Sequence, residues 1–234
     1  MKILIIDDEK PTLSMFRLFL AAYGYEVHTA DSGEAGLAKF KDLKPDIVFT
    51  DIRMPGIDGL GVLDRIREAD PRCQVIIITG HGDMERAVDA LDMGASDFIN
   101  KPVERQALNA ALIRAENRAV LPESPPFSID RIEAGDNDGY FLIGGHLCRE
   151  SGIPMIGALA GLYQGTPVRF KFRQDISMDR GGISVFTDTL KRLSDQGHQI
   201  RITGLSYNIM KFFEMAGIHK LAVLEAEDAE EPGL

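Results

Sequence analysis

The stretch PDIVFTDIRMPGIDG, Pro45 to Gly59, decides the fold of the first half of the chain. Ile47-Val48-Phe49-Thr50 is a short apolar, β-rich run after a proline, which reads as a buried parallel strand. Asp51 closes the run. Met54-Pro55-Gly56 and Asp58-Gly59 break the chain directly afterwards. A carboxylate at the C-terminal end of a central parallel strand faces the crevice where open α/β sheets bind ligands.

Working outward, strand and helix patterns alternate five times. The strands are expected at Lys2–Ile6, Tyr25–Ala30, Asp46–Thr50, Gln74–Thr79 and Asp97–Ile99. The helices are expected at Pro11–Tyr23, Gly33–Asp42, Gly59–Ala69, Met84–Asp92 and Glu104–Ala119, with Gly24 and Gly94 at C-cap positions. Repeated βα units with right-handed crossovers give a doubly wound, five-stranded parallel sheet. Asp7 and Asp8 then end the first strand, Asp51 the third, Thr79 the fourth and Lys101 the fifth, and all converge on one sheet edge. Three carboxylates gathered there repel unless a cation neutralises them, and a hard, oxygen-preferring ion such as Mg²⁺ suits them. Lys101 adds a second positive centre and Thr79 a hydroxyl, the groups that stabilise a transferring phosphoryl. Asp51 is the nucleophile in that reading.

The segments IIDDE, FTDIRMPGIDG, TGHGD and FINKP, with the spacing Asp8, Asp51, Thr79, Lys101, resemble the receiver domains of two-component response regulators from Met1 to about Val120. The resemblance implies phosphorylation of Asp51 by a histidine kinase. It also implies Mg²⁺ held by Asp7, Asp8, Asp51 and the Arg53 backbone carbonyl. Thr79 and Phe98 match the family's switch residues, Lys101 its phosphate lysine, and Lys101-Pro102 its cis peptide. Dimerisation through the face of Met84–Asp92 and Glu104–Ala119 is a further implication. His81, inside TGHGD, reads as an exposed loop residue, and Cys73 as a small buried hydrophobe.

LPESPP, residues 121–126, is the expected linker, stiffened by three prolines. Beyond it a second α/β domain is expected over residues 127–227, then an acidic tail, 228–234. A hairpin should pair Ser128–Glu133 with Gly139–Gly144 around Asp136-Asn137-Asp138. Helices follow at Glu150–Tyr163, Gly182–Gln196 and Ser206–Ala216. Strands follow at Pro167–Phe172, Gln199–Thr203 and Lys220–Leu224. Asp179-Arg180-Gly181-Gly182 reads as a tight turn whose glycine N–H groups could receive an anion.

From Phe127 to Glu227, and most clearly after Ser177, this half resembles the STAS domain of anti-sigma factor antagonists. Asp179-Arg180-Gly181-Gly182 stands at the family's Asp-Ser-Ser-Gly turn, and Gly204-Leu205-Ser206 and Ala216-Gly217-Ile218 match its later signatures. The resemblance implies a partner surface at Asp179–Gly182 and an anti-sigma factor or switch kinase as partner. Arg180 replaces the serine that a kinase phosphorylates in the family, so that switch is absent. Ser177 and Ser184 lie close enough to be considered in its place. His146 stands where the family prefers acidic residues, and His146 with Cys148 supplies two ligands, too few for zinc.

Composition narrows the alternatives. Residues 1–126 carry 15 Lys/Arg against 21 Asp/Glu, and residues 127–234 carry 11 against 15, balances of −6 and −4 within a net charge of −10. Neither half has the basic footprint of direct nucleic-acid binding. Two cysteines fit a reducing cytoplasm. No signal peptide or membrane span is evident. A DNA-binding transcriptional regulator and a STAS subunit of a stress-sensing or lipid-transport assembly remain rival readings. An enzyme in the second half lacks a Walker motif, a nucleophile elbow and metal-ligand spacing.

Overall fold

The computed structural model describes residues 1–80, 83–119, 125–133 and 139–226. His81, most of the linker, the centre of the hairpin turn and the acidic tail lie outside these. The chain divides into two compact units, Met1–Pro122 and Glu123–Leu234.

In the first unit, strands β1 (Lys2–Ile6), β2 (Glu26–Ala30), β3 (Ile47–Asp51), β4 (Gln74–Thr79) and β5 (Asp97–Asn100) alternate with helices α1 (Lys10–Ala22), α2 (Gly33–Leu43), α3 (Gly59–Ala69), α4 (Met84–Asp92) and α5 (Arg105–Ala119). The strands form one parallel sheet in the order β2-β1-β3-β4-β5. Every residue of β3 and β4 is buried, as the unbroken apolar runs demand of strands covered on both faces. The chain steps outward from β1 to β2, then returns past β1 to β3. The sheet's order therefore reverses between β1 and β3, where open α/β sheets form their crevice. Asp58 caps α3 by accepting the Gly61 N–H at 2.9 Å. Gly59 lets that helix begin against the end of β3, because a Cβ there would lie 2.3 Å from the Asp51 carbonyl oxygen.

The second unit opens with β6 (Ser128–Ile132) and β7 (Tyr140–Gly144), an antiparallel pair. The sheet continues in parallel through β9 (Val168–Phe172), β11 (Ile200–Leu205) and β12 (Val223–Ala226), in the order β12-β11-β9-β7-β6. A small parallel pair, β8 (His146–Leu147) with β10 (Ser177–Met178), stands apart from it. On β9, Val168, Phe170 and Phe172 are buried and Arg169 and Lys171 exposed, the alternation of a strand covered on one face. Onto the buried face pack Phe186 of α7 (Arg180–Asp195), edge-on to Phe172 at 5.3 Å, and Phe213 of α8 (Tyr207–Met215), 6.1 Å from the same ring.

Three expectations need correction here. The helix expected over Glu150–Tyr163 is a 3-10 turn at Arg149–Ser151 followed by α6, Gly152–Ala158, only. Gly161 takes φ +84 and Gly165 φ +78, left-handed values that no α-helix carries. The last strand begins at Val223 rather than Lys220, because Ile218–Lys220 closes a 3-10 turn first. Most consequentially, Arg180-Gly181-Gly182 is not a turn ahead of the helix but the first turn of α7 itself. Asp179 caps that helix, its Oδ1 accepting the Gly182 N–H at 2.7 Å, so the group read as an anion donor is already taken by the helix's own cap.

Gly182 is also where α7 meets β8. A Cβ there would lie 2.0 Å from the Leu147 carbonyl oxygen. Gly182→Ala should therefore destabilise the second unit by at least ~1–3 kcal/mol, the usual cost of overpacking. Differential scanning calorimetry should show the transition of the second unit falling while that of the first stays put. An unchanged second transition would mean that the helix can shift at no cost.

Candidate functional site

At the crevice, Asp7 follows β1 directly, Asp51 ends the neighbouring β3, Thr79 ends β4 and Lys101 follows β5. Asp7, Asp8 and Asp51 bring one carboxylate oxygen each within 4.8 Å of the others, the one such group of acids, histidines or cysteines among the described residues. Lys101 Nζ stands 3.1 Å from Asp7 Oδ2 and 3.2 Å from Asp51 Oδ1. Asp7 and Asp51 are buried, whereas Asp8 is exposed.

Burial makes these carboxylates unwilling anions. It pushes Asp51 up to about 6; Lys101 opposes the rise and the Asp7 charge adds to it. Asp7 is raised as well, chiefly by burial, against the Glu9 backbone N–H and Lys101. For Lys101, burial alone would lower the pKa, but the charges of Asp51 and Asp7 outweigh it and the net direction is upward. Asp7 Oδ1 accepts the Glu9 N–H at 2.8 Å. Its Oδ2 is buried and receives no hydrogen bond, since Lys101 approaches it without hydrogen-bonding geometry. A buried, unsatisfied carboxylate oxygen beside two further carboxylates is a donor set suited to a hard divalent cation.

These shifts have a consequence for stability. Asp51 in the folded protein titrates near 6 against an ordinary 3.8. Between those values the folded state binds more protons than the unfolded, so stability falls as pH rises through that window. Thermal melts in chelator should fall between the two pKa values, and Asp51→Asn should flatten the fall and melt higher than the parent at neutral pH. A variant that melts lower at neutral pH would show that the Lys101 ion pair outweighs burial.

Thr79 is buried at the end of β4, its Oγ1 3.4 Å from the Gly80 carbonyl oxygen. Phe98 is buried, and the Lys101-Pro102 peptide is cis. Cys73 is buried, and burial pushes its thiol up to about 12, which keeps it protonated and inert.

Sequence reasoning missed several partners. Glu9 Oε2 accepts from Thr12 at 3.1 Å and from Lys101 at 3.4 Å, so a third carboxylate holds the lysine. The Arg53 guanidinium pairs with buried Asp83, and Arg86 with Asp58. These two ion pairs tie the loop after β3 to the start of α4. The IIDDE run placed Glu9 beside the site, but nothing local signals the other pairs, whose members stand 30 and 28 residues apart.

In the second unit, Asp179 also faces His146, whose Nε2 lies 3.5 Å from Asp179 Oδ2 and whose Nδ1 lies 2.9 Å from Ser177 Oγ. Ser177 is buried and Ser184 exposed. Arg180 is exposed at the first position of α7, and Gly181 and Gly182 lie inside the helix. Cys148 Sγ meets Ser151 Oγ at 3.6 Å, a local contact at the head of the 3-10 turn.

Residues 3–113 match the family described as the response regulator receiver domain. The regulatory protein AtoC of Escherichia coli is 40% identical over 114 residues, which cover 49% of this chain and 25% of AtoC. The acid tolerance regulatory protein ActR of Rhizobium meliloti is 34% identical over 130 residues, covering 56% of this chain and 67% of ActR. A solved response regulator receiver domain protein from Clostridium thermocellum is 41% identical, with a TM-score of 0.49, covering 50% of this chain and 94% of that one. The chain thus spans a quarter of AtoC's length and two thirds of ActR's. With Asp7, Asp8, Asp51 and Lys101 already gathered at one sheet edge, the family match and the likeness to ActR establish that the chain belongs, through its first unit, to the response regulator receiver domain family.

Proposed function

We propose that this protein is a phosphorylation-controlled regulator that accepts a phosphoryl group on Asp51 from a histidine kinase. The observation that carries the reading is the convergence of three carboxylates with Lys101 at the reversal of the sheet. Asp7, Asp8, Asp51 and the Arg53 carbonyl would hold Mg²⁺, which would neutralise the carboxylates and polarise the phosphoryl oxygens. Asp51 Oδ attacks phosphorus, the phosphorus–donor bond breaks, and Lys101 balances charge on the phosphoryl oxygens. Thr79 and Phe98 carry the change toward α4 and α5. The protein turns over no substrate beyond gaining and losing this phosphoryl, and it works in the cytoplasm.

The second unit acts as a STAS-like protein-binding output, with an anti-sigma factor or switch kinase as partner. An antiparallel hairpin leading into three parallel strands, and a capped helix with Asp179–Gly182 at its head, support that reading. Arg180 cannot accept phosphate, so control rests with Asp51 in the first unit. Ser177 is buried and hydrogen-bonded to His146, which argues against its replacing the missing serine.

The test is an affinity pull-down with the full chain, treated or not with acetyl phosphate and Mg²⁺. Capture of an anti-sigma factor or kinase that changes with treatment supports the reading; identical capture in both states overturns it. Thr79→Ala should still be labelled but should not change capture. The second reading, a DNA-binding transcriptional regulator, is favoured by the names of relatives, among them the transcriptional regulatory protein FixJ. Against it stands the second half's balance of 11 Lys/Arg to 15 Asp/Glu. A mobility shift with genomic fragments, salt-dependent and lost without the second unit, would establish that alternative.

A further inference from the structure

The sheet of the second unit has two unlike faces. Val168, Phe170 and Phe172 of β9 and Ile200 and Ile202 of β11 are buried on the side where α7 and α8 pack. The residues between them, Arg169, Lys171 and Arg201, are exposed on the opposite side. Arg169 and Arg201 stand directly opposite each other across the two strands, and Lys171 stands opposite Thr203. Like charges in register repel, so three cations on neighbouring strands favour an anion laid over them. Asp130 does not supply it. It stands opposite Leu142, which stands opposite Lys171, so it lies two strands away on the far side.

The edge strand β12 gives a second, independent sign. Its Glu225 pairs with the Arg201 guanidinium of the neighbouring β11. Glu225 is the first acid of EAEDAEE, residues 225–231, which holds five acids in seven residues and no base. β12 ends at Ala226, opposite Leu205 of β11. From there Lys171 is two strands across and two residues back, about 12 Å. Five further residues extend to about 17 Å, enough to return over Arg201 and reach Arg169 and Lys171.

We propose that the chain's own acidic segment, Glu227–Glu231, docks in cis across the open face of this sheet, with its carboxylates over Arg169, Lys171 and Arg201. Charge and tethering select this occupant. The segment starts on the same sheet, so its effective concentration is in the millimolar range, which favours it over a free acidic partner. A second copy carries a net charge of −10 and is repelled at long range. Exposed ion pairs are weak singly, and salt screens them, so docking loosens as ionic strength rises. While docked, the segment keeps other anionic partners off the face. The proposal does not depend on the phosphorylation or STAS readings.

The test is zero-length carbodiimide cross-linking of the full chain, read by peptide mass spectrometry. An equal mixture of unlabelled and isotope-labelled protein separates links within a chain from links between chains. Lys171 should be joined to Glu227, Asp228, Glu230 or Glu231 of its own chain, and the yield should fall at least about three-fold in about 0.5 M NaCl. Lys191, exposed on α7 on the other side of the sheet, should give no such link. Arg169→Gln combined with Arg201→Gln should also lower the Lys171 link at least about three-fold, although neither arginine can itself be cross-linked. The salt series on the parent carries the same test without a substitution. No link from Lys171 to the segment, a link only between chains, or a yield indifferent to both salt and the arginines overturns the proposal.

Discussion

Asp51→Asn is expected to abolish phosphorylation altogether. With acetyl phosphate and Mg²⁺ the parent should gain one phosphate, labile to base and to hydroxylamine as an acyl phosphate is, and the variant none. An amide nitrogen or oxygen is a far poorer nucleophile than a carboxylate, and no neighbour can replace it. Asp7 is fully buried, its Oδ1 held by the Glu9 N–H. Asp8 is exposed after β1, whereas Asp51 is buried at the end of β3 with its Oδ1 3.2 Å from Lys101 Nζ. Chelation should abolish labelling of the parent as well, because the buried carboxylates cannot all stay ionised without a cation. Labelling that survives in Asp51→Asn would move the acceptor to Asp8 and sink the assignment.

The first unit was legible in the sequence because its central strands β1, β3 and β4 are buried on both faces. LII, IVF and VIII are unbroken apolar runs, and closely after them stand Asp7, Asp51 and Thr79, which the sheet order gathers. The bounds of β1, β4, α3 and α4 agree with the structure residue for residue. The second unit was harder, for reasons that lie in particular residues. Asp179-Arg180-Gly181-Gly182 reads locally as a tight turn ahead of a helix, yet Asp179 caps a helix that already begins at Arg180, and the close approach to Leu147 is what calls for Gly182. Residues 150–163 carry an apolar pattern long enough for a helix, but α6 ends at Ala158 and Gly161 adopts a left-handed φ that no continuation could carry. Long-range ion pairs such as Arg53 with Asp83 leave no periodic trace, so the crevice's electrostatics were visible only in part.

Lys101→Ala should slow phosphorylation by about 30- to 1000-fold, the ~2–4 kcal/mol that a preorganised charge supplies to a transition state. The lysine is already positioned, held by Asp7, Asp51 and Glu9 at 3.1, 3.2 and 3.4 Å, so little reorganisation is needed when charge develops on the phosphoryl oxygens. Its removal has a second effect of opposite sign. Without the ammonium, the same carboxylates face one another with less compensation, which pushes Asp51 further up and makes a divalent cation more welcome. Mg²⁺ should therefore bind Lys101→Ala more tightly than the parent at a pH well above 6, even as phosphorylation slows. Misfolding would weaken both, so titration of Mg²⁺ beside the labelling rate separates loss of charge from loss of structure. A variant labelled at the parent's rate, with unchanged Mg²⁺ affinity, would show that Lys101 is a spectator and that the metal alone carries the phosphoryl's charge.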